Sequence, residues 1–359
     1  MKSKSLFAER FKSARMINGF SLQDVADALD GQLSRQALHR YEKGDVVPDD
    51  DKVKMLSKAL NVNTDFFLRD TIIELGEIEY RLNAKISQKD EAIINETTKE
   101  YLSRYLELEE ILGFDTTFIN PLESFEIIKS YEQVNEAANI LRNAWNLGAG
   151  AIFNVVELLE DKKIKVVKLD VAEDFEGLQT CVTYNEGIKI PVVAYNAKKT
   201  NKPDRIRLTL LHELAHLILK FDDISHAQKE KFCFQFAGAM LLPQTTIKEE
   251  LGDFRNKLSM NEIGNVKMQY GISMQAIVMR AKDCKIINEH YTKQFFFLFK
   301  QMNWRVDEPF DYSGMEESHR FEQLLFRALI ESQISVSKAS LLMNMSESNL
   351  KNKYQSMFI

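Results

Sequence analysis

Cysteine, proline and glycine are scarce in this 359-residue chain: three, six and fourteen residues. Three cysteines, Cys181, Cys233 and Cys284, are an odd number placed far apart. They give no disulfide framework and fit a reducing compartment. So little proline and glycine excludes collagen-like and low-complexity chains. Long apolar runs are missing too. Leu208–Leu211 and Phe295–Phe299 fall far short of the ~18 residues of a bilayer span. The charged start, with Lys2, Lys4, Glu9, Arg10 and Lys12, is unlike a secretory leader. With 47 basic and 53 acidic residues the net charge is −6, which excludes a chain coated in nucleic acid but allows one basic module. The expectation is a cytoplasmic globular chain of two or three domains with no membrane partner.

What is present begins with a charge asymmetry. The first 43 residues carry +3, which leaves −9 for the rest. Residues 5–68 have the spacing of five short helices. Asn18-Gly19 ends the first, Ser21 caps a second over Leu22–Leu29, Asp30-Gly31-Gln32 turns the chain, and Ser34 caps a third over Arg35–Glu42. Two short helices across a tight turn, the second polar and basic outward, form a helix-turn-helix pattern. Ser34, Arg35, Gln36, His39 and Arg40 lie on its outer side. There an Arg can fork onto guanine, a Gln onto adenine, and backbone amides can meet phosphate. The plainer alternative is a solvated face of a protein-binding bundle. The runs Ser21-Leu22-Gln23-Asp24-Val25-Ala26 and Ser34 to Gly44 resemble the lambda-repressor-like (XRE) DNA-binding domain. The turn Asp30–Leu33 is about two residues longer than is usual there, which shifts the second helix.

Residues 70–113 read as a helical connector with a narrow apolar seam that includes Ile94, Tyr101, Leu102, Tyr105 and Leu108. The seam suits either packing on the chain's own next domain or a homodimer contact over paired half-sites. Two amphipathic helices then fill 131–160, and three strand-like runs follow at Ile164–Val171, Gly177–Tyr184 and Ile188–Asn196.

The next helix contains His212-Glu213-Leu214-Ala215-His216. Four residues make about one turn, so both imidazoles leave one face and can hold one zinc ion, while Glu213 stays uncoordinated. Its carboxylate would then take the proton of a water polarised by the ion, which is the chemistry of amide hydrolysis. Hydrogen-bonded core histidines are the bland alternative. The helix is otherwise apolar nearly all round, so two His and a Glu inside it need a partner. Asp222, Asp223, His226, Glu230 and Cys233 are within reach as a third ligand. A lone carboxylate heading an apolar helix favours Glu230. His226 and Cys233 are held as outer-shell or regulatory candidates, with Cys233 expected to face the same way as Glu230. Tyr195 is a candidate oxyanion donor. For both Cys233 and Tyr195, packing is the commoner role.

The His212–His216 motif and the run from Glu230 through Phe236-Ala237 to Leu241-Leu242-Pro243 resemble the ImmA/IrrE metallopeptidases. The resemblance implies His212, His216 and Glu230 as zinc ligands and Glu213 as general base. Leu211 and Ala215 stand where that family often has Ala and Gly, and Cys233-Phe234 replaces a common Ala-Asn pair. The C-terminal third reads as helices, and Ser337–Asn349 forms a helix pair assigned to packing. The expected fold is mainly α with a small β-sheet (α+β). It comprises a five-helix XRE-type domain over 1–69, the connector over 70–113, a zincin-like peptidase over 114–250 and a helical region over 251–359. The expected function is operator-DNA binding joined to zinc-dependent cleavage of a repressor- or antitoxin-like protein, or of the chain itself. The alternative is a non-catalytic repressor or antitoxin whose zinc domain is structural or sensory.

Overall fold

Local capping chemistry sets the N-terminal module. In the computed structural model, which describes residues 2–355 apart from 70–72, 77–78, 83–85, 172–174, 185–186 and 306, α1 spans Lys2–Ile17. Gly19 at φ +64° turns the chain out of it. Ser21 and Asp24 form a capping box at the head of α2 (Leu22–Ala28). Asp30 and Gly31, both at positive φ, reverse the chain. Ser34 then accepts from the Ala37 amide to start α3 (Arg35–Glu42), and Asp49 caps α4 (Asp50–Ala59). The expected fifth helix is instead one 3₁₀ stretch, Thr64–Leu68. It is short because Phe66 and Phe67 are both drawn into a core with Phe7, Phe11, Val25, Leu38, Leu56 and Leu60.

The connector differs from its expected helical form. Ile73–Leu75 (β1) and Glu79–Leu82 (β2) are strands, followed by one long helix, α5 (Gln88–Ile111). The alternation of Ile, Leu and Tyr with Glu between 72 and 82 is a strand signal. The seam of α5 faces its own chain. Ile94, Leu102 and Leu106 cover one face of the sheet, and Tyr105 and Leu108 pack on the C-terminal helices.

After α6 (Tyr131–Ala144) and α7 (Val155–Asp161) come β3 (Lys165–Leu169), β4 (Phe175–Tyr184) and β5 (Ile188–Asn196). Then follow α8 (Pro203–Ile218), α9 (His226–Leu241) and α10 (Gln244–Leu251). Among the described residues the fold is mainly helical with a small sheet, as the sequence predicts, but that sheet has five strands where the sequence predicts three. β4 lies antiparallel to β5, β5 parallel to β3, and β1 and β2 both pair antiparallel with the other edge of β4. One face of the sheet meets α5. The other contributes Val166, Val193 and Tyr195 to the largest core, shared with α6, α8 and α9.

The C-terminal helices are α11 (Met260–Tyr270), α12 (Met274–Asp283), α13 (Glu289–Gln301), α14 (Arg320–Ile330), α15 (Val336–Leu342) and α16 (Glu347–Lys353). The α15–α16 pair packs with α14 against Tyr105 and Leu108 of α5. Among the described residues no helix is long and apolar enough to cross a membrane.

Glu100 of α5 ties the N-terminal module to this body. It accepts from Arg10 of α1 at 2.6 Å and from Arg69, just past the 3₁₀ turn, at 3.1 Å. Arg69 also meets Glu107 at 2.9 Å, and all of Arg10, Arg69 and Glu100 are buried. Removing one member strands the buried charges of the others. Glu100→Ala is therefore expected to cost about 3–5 kcal/mol in urea unfolding monitored through the N-terminal module. A change under about 0.5 kcal/mol, the scatter of an ordinary surface substitution, would show that the junction does not depend on this cluster.

Candidate metal centre and nucleic-acid face

Helix α8 begins with Pro203 at its first position and runs through the middle of the main core. Two of its buried charges, Arg207 and Asp204, have buried partners. Arg207, with no exposed surface, donates to Glu316 at 2.5 Å and to the Ile152 carbonyl at 2.7 Å. Asp204 pairs with the buried Lys267 at 3.0 Å, and Lys267 also reaches Glu308 at 2.9 Å. Burial raises the Glu316 carboxyl above its ordinary range, against the opposing pull of Arg207.

Further along the helix, His212 and His216 turn their Nε2 atoms toward each other at 3.2 Å. Glu230 of α9 closes the triangle, with Oε2 3.2 Å from His212 Nε2 and Oε1 3.1 Å from His216 Nε2. Among the described residues, these three alone form a group whose ligand atoms converge within 4.8 Å. Ligands held about 2.0–2.1 Å from a tetrahedral zinc lie about 3.3 Å from one another, so the spacing and the donor types suit that ion. Burial pushes the Glu230 carboxyl up. Hydrogen bonds and charge from the two imidazoles outweigh it and hold the group well below the usual carboxylate range. His216 Nδ1 is buried with no hydrogen-bond partner among the described residues, so packing orients this ring rather than an outer carboxylate.

Glu213 is 1% exposed and lies under β4. A Cβ built on Gly177 would sit 2.8 Å from Glu213 Oε1 and 2.7 Å from Thr209 Cγ2. Glycine is what lets the strand cross this carboxylate so closely. The sequence reading did not single Gly177 out, although a glycine inside a strand run was the available signal. Phe234 was also passed over, beyond noting its substitution. Its ring lies 4.2 Å from that of His212, and it is 37% exposed on the wall of a cleft. The cleft, about 800 Å³, runs from Glu230 between α8, α9 and α12.

The remaining candidates fall elsewhere. Cys233 is fully buried in the main core, the commoner role for a cysteine, and is not among the residues whose ligand atoms converge. Three residues of helix advance about 300°, and the missing 60° turns it inward while Phe234 takes the cleft side. His226 stands at the rim, 3.9 Å from Glu230, with its side chain 83% exposed. Tyr195 lies opposite Gly177 in the β4–β5 register but is buried in the core, and it is not among the described residues lining the cleft. Burial, with the Glu317 and Glu316 carboxylates, pushes its hydroxyl up to about 12.

On α3 the structure brings Ser34, Arg35, Gln36, His39 and Arg40 together on one exposed surface, while Leu38 and Tyr41 point into the core. The helix N-terminus and its first side chains are thus presented to solvent, the arrangement a major-groove reader needs.

Known proteins match at both places. A helix-turn-helix family model matches residues 11–67, and the IrrE N-terminal-like domain of the M78 peptidases matches residues 159–282. The SPbeta prophage-derived uncharacterized HTH-type transcriptional regulator YonR of Bacillus subtilis (strain 168) is 36% identical over 106 residues, which is 29% of this chain and 96% of that protein. No solved structure matches the chain.

The geometry separates ligands from neighbours. After loading with Zn²⁺ and dialysis, wild type and Glu213→Gln are expected to retain about one equivalent of metal by mass spectrometry. His212→Ala and Glu230→Ala should each retain at least tenfold less. Equal retention by all four proteins would remove this cluster as the metal centre.

Proposed function

Because the chain belongs to the helix-turn-helix regulators that carry an IrrE N-terminal-like domain, we propose that it is an operator-binding regulator with a zinc-dependent endopeptidase built in. Its substrate is a partner protein of repressor or antitoxin type. The observation that carries the reading is the convergence of His212, His216 and Glu230, with the buried carboxylate of Glu213, which is outside that group, next to the first ligand. A site serving only to hold the fold has no use for such a carboxylate and would close with a fourth protein ligand.

His212, His216 and Glu230 would hold the ion, which supplies Lewis acidity that polarises a peptide carbonyl and makes water acidic enough to react near neutral pH. The chain's own residues do the rest. Glu213 takes a proton from the water that attacks the carbonyl carbon. As the C–N bond breaks, it returns that proton to the amide nitrogen, leaving a carboxylate and an amine. Gly177 fixes how close β4 stands to that carboxylate. The Phe234 ring braces His212 and keeps water from that side of the imidazole.

At the other end of the molecule, α3 enters the major groove. Arg35 and Gln36 read base edges, His39 and Arg40 sit along the groove, and the Ser34 end meets phosphate. Paired half-sites call for a homodimer. The α5 seam is buried within one chain, so the dimer contact uses another surface.

A second substrate is favoured by one observation. β2 of the connector pairs with β4 from Glu79–Gln179 to Leu82–Phe175, on the strand that carries Gly177. The chain's own connector therefore lies beside the proposed centre and is the candidate for cleavage in cis.

The decisive comparison is wild type against Glu213→Gln, both zinc-loaded, tested for operator binding and for cleavage of the adjacent gene's product. Loss of the general base is expected to slow cleavage about 10²–10⁴-fold and leave DNA affinity unchanged. Arg35→Ala should do the reverse, weakening specific DNA binding by about 1–3 kcal/mol with cleavage intact. If neither protein cleaves the product or the connector while both bind DNA equally, the peptidase reading gives way to a repressor or antitoxin with a structural or sensory zinc domain.

A further inference from the structure

We propose that the cleft beside the metal-ligand cluster selects an extended peptide segment with a large apolar side chain near the cluster and acidic side chains beyond it. This rests on the endopeptidase reading and names the class of its substrate.

The first support is the lining. Besides Glu230, the cleft is lined by Leu208 of α8, Phe234 of α9, Met279 of α12 and Phe296 of α13. Apolar side chains from four helices thus face a space of about 800 Å³ rather than one another. Protein interiors close such spaces unless something else fills them. Burial of one large side chain there would remove apolar surface of both partners from water. A sheet edge is not required, because the groove runs between helices.

The second support is charge. Arg205 lies two helical turns before His212 on α8, and Lys199, Lys231 and Arg305 line the same cleft. Arg205 donates to the Arg305 carbonyl at 2.6 Å, which holds these two residues on the same rim. Most nearby acids are already engaged. Glu308 is buried, bridged to Lys267 at 2.9 Å, and accepts from the Met274 amide at 2.8 Å. Asp283 accepts from Gln235 at 3.0 Å, and burial raises its carboxyl above the usual range. With Arg280 the lining holds five basic residues against four acidic ones, Glu176 and Glu230 included, the reverse of a chain whose net charge is −6. A cationic surplus over a low-dielectric floor focuses potential on an anionic ligand. The aliphatic Leu208 and Met279 offer no ring for a base to stack on, and the neighbouring His212, His216 and Glu230 suit amide chemistry, so the cleft favours a peptide over single-stranded nucleic acid.

The test uses zinc-loaded, full-length Glu213→Gln, which should bind without cutting, and fluorescein-labelled decapeptides of three compositions. One combines a central Leu-Phe with flanking Asp and Glu, one the same centre with Lys and Arg, and one a Ser-Asn centre with the acidic flanks. Fluorescence anisotropy should show the apolar–acidic peptide bound at least tenfold tighter than either other. Arg305→Glu, a change at an exposed residue, should cut that preference over the basic peptide at least tenfold. Phe296→Ala should weaken both Leu-Phe peptides and leave their ratio unchanged, with metal retention checking that the variant is folded. Equal binding of the three peptides, an Arg305→Glu variant with unaltered preference, or tighter binding of a single-stranded oligonucleotide displaced by Leu-Phe peptide would each overturn the proposal. Wild type distinguishes the two readings. Selective binding with no cleavage of any peptide leaves this cleft assignment standing and sinks the endopeptidase. Cleavage that ignores peptide composition does the opposite.

Discussion

Helix α8 carries an aspartate, an arginine, two histidines and a glutamate into the centre of the largest core, and the rest of the central fold is arranged around satisfying them. An uncompensated charge at such depth costs several kcal/mol. The chain compensates with distant segments. Glu316 answers Arg207, and Lys267 answers Asp204 while being shared with Glu308. Both glutamates come from the stretch between α13 and α14. Each also caps a helix start: Glu316 accepts from the amides of Val155 and Val156, and Glu308 from those of Met274 and Gln275. One irregular segment thereby fixes α7, α8, α11 and α12 against one another. The histidines at the other end of α8 are thus held by a helix whose rotation and depth are already determined.

That arrangement explains why so small a substitution as a single Cβ matters at Gly177. The helix cannot retreat, because Arg207 and Asp204 anchor it. The strand cannot lift, because β4 is paired on both edges, with β5 on one side and β1 and β2 on the other. Between two fixed elements, the space above Glu213 is set to fit a hydrogen atom. Rigid elements on both sides hold the Glu213 carboxylate in one place, which is what the proposed general-base role requires.

The legible parts of this molecule were those whose determinants are close in sequence. The Ser21 and Ser34 caps and the Asp30–Gly31 turn announce the helix-turn-helix within one short stretch of chain, from 21 to 34. The His212–His216 spacing needs only one helical turn, and Glu230 follows on the next helix. Illegible parts depend on partners far along the chain. β1 and β2 exist because β4 offers an edge about a hundred residues later, and three- or four-residue strands have little signal without it. The two sides of α5 could not be assigned from periodicity, because the surfaces it covers come from β3–β5 and from α14–α16. Cys233 packs in the core, the commoner role for a cysteine, and its phase difference of about 60° from Glu230 is too small for periodicity alone to decide its side. Gly177 has no side chain to announce it, and only the three-dimensional crossing shows its use.

Helix α5 gives the DNA-reading module and the metal centre a shared support. At its N-terminal half, Glu96 accepts from Ser13 at 2.6 Å and Glu100 holds Arg10, so α1 is fastened to it twice. On its inner face it lies on the sheet whose central strand crosses Glu213, and Lys165 of β3 is bound to its Glu109 at 2.6 Å. Tyr105 and Leu108 then engage the C-terminal helices. A continuous helix of 24 residues transmits displacement along its axis better than a loop does. Contiguity by itself is no switch, because coupling needs an element with two arrangements. Of the elements that touch both α5 and β4, β1 is the smallest, three residues held to β4 by an edge ladder. Short edge strands are the cheapest part of a sheet to release. The physical connection between α1 and the sheet that crosses Glu213 runs through α5, which holds Arg10 and Ser13 at one end and packs on the sheet along its inner face.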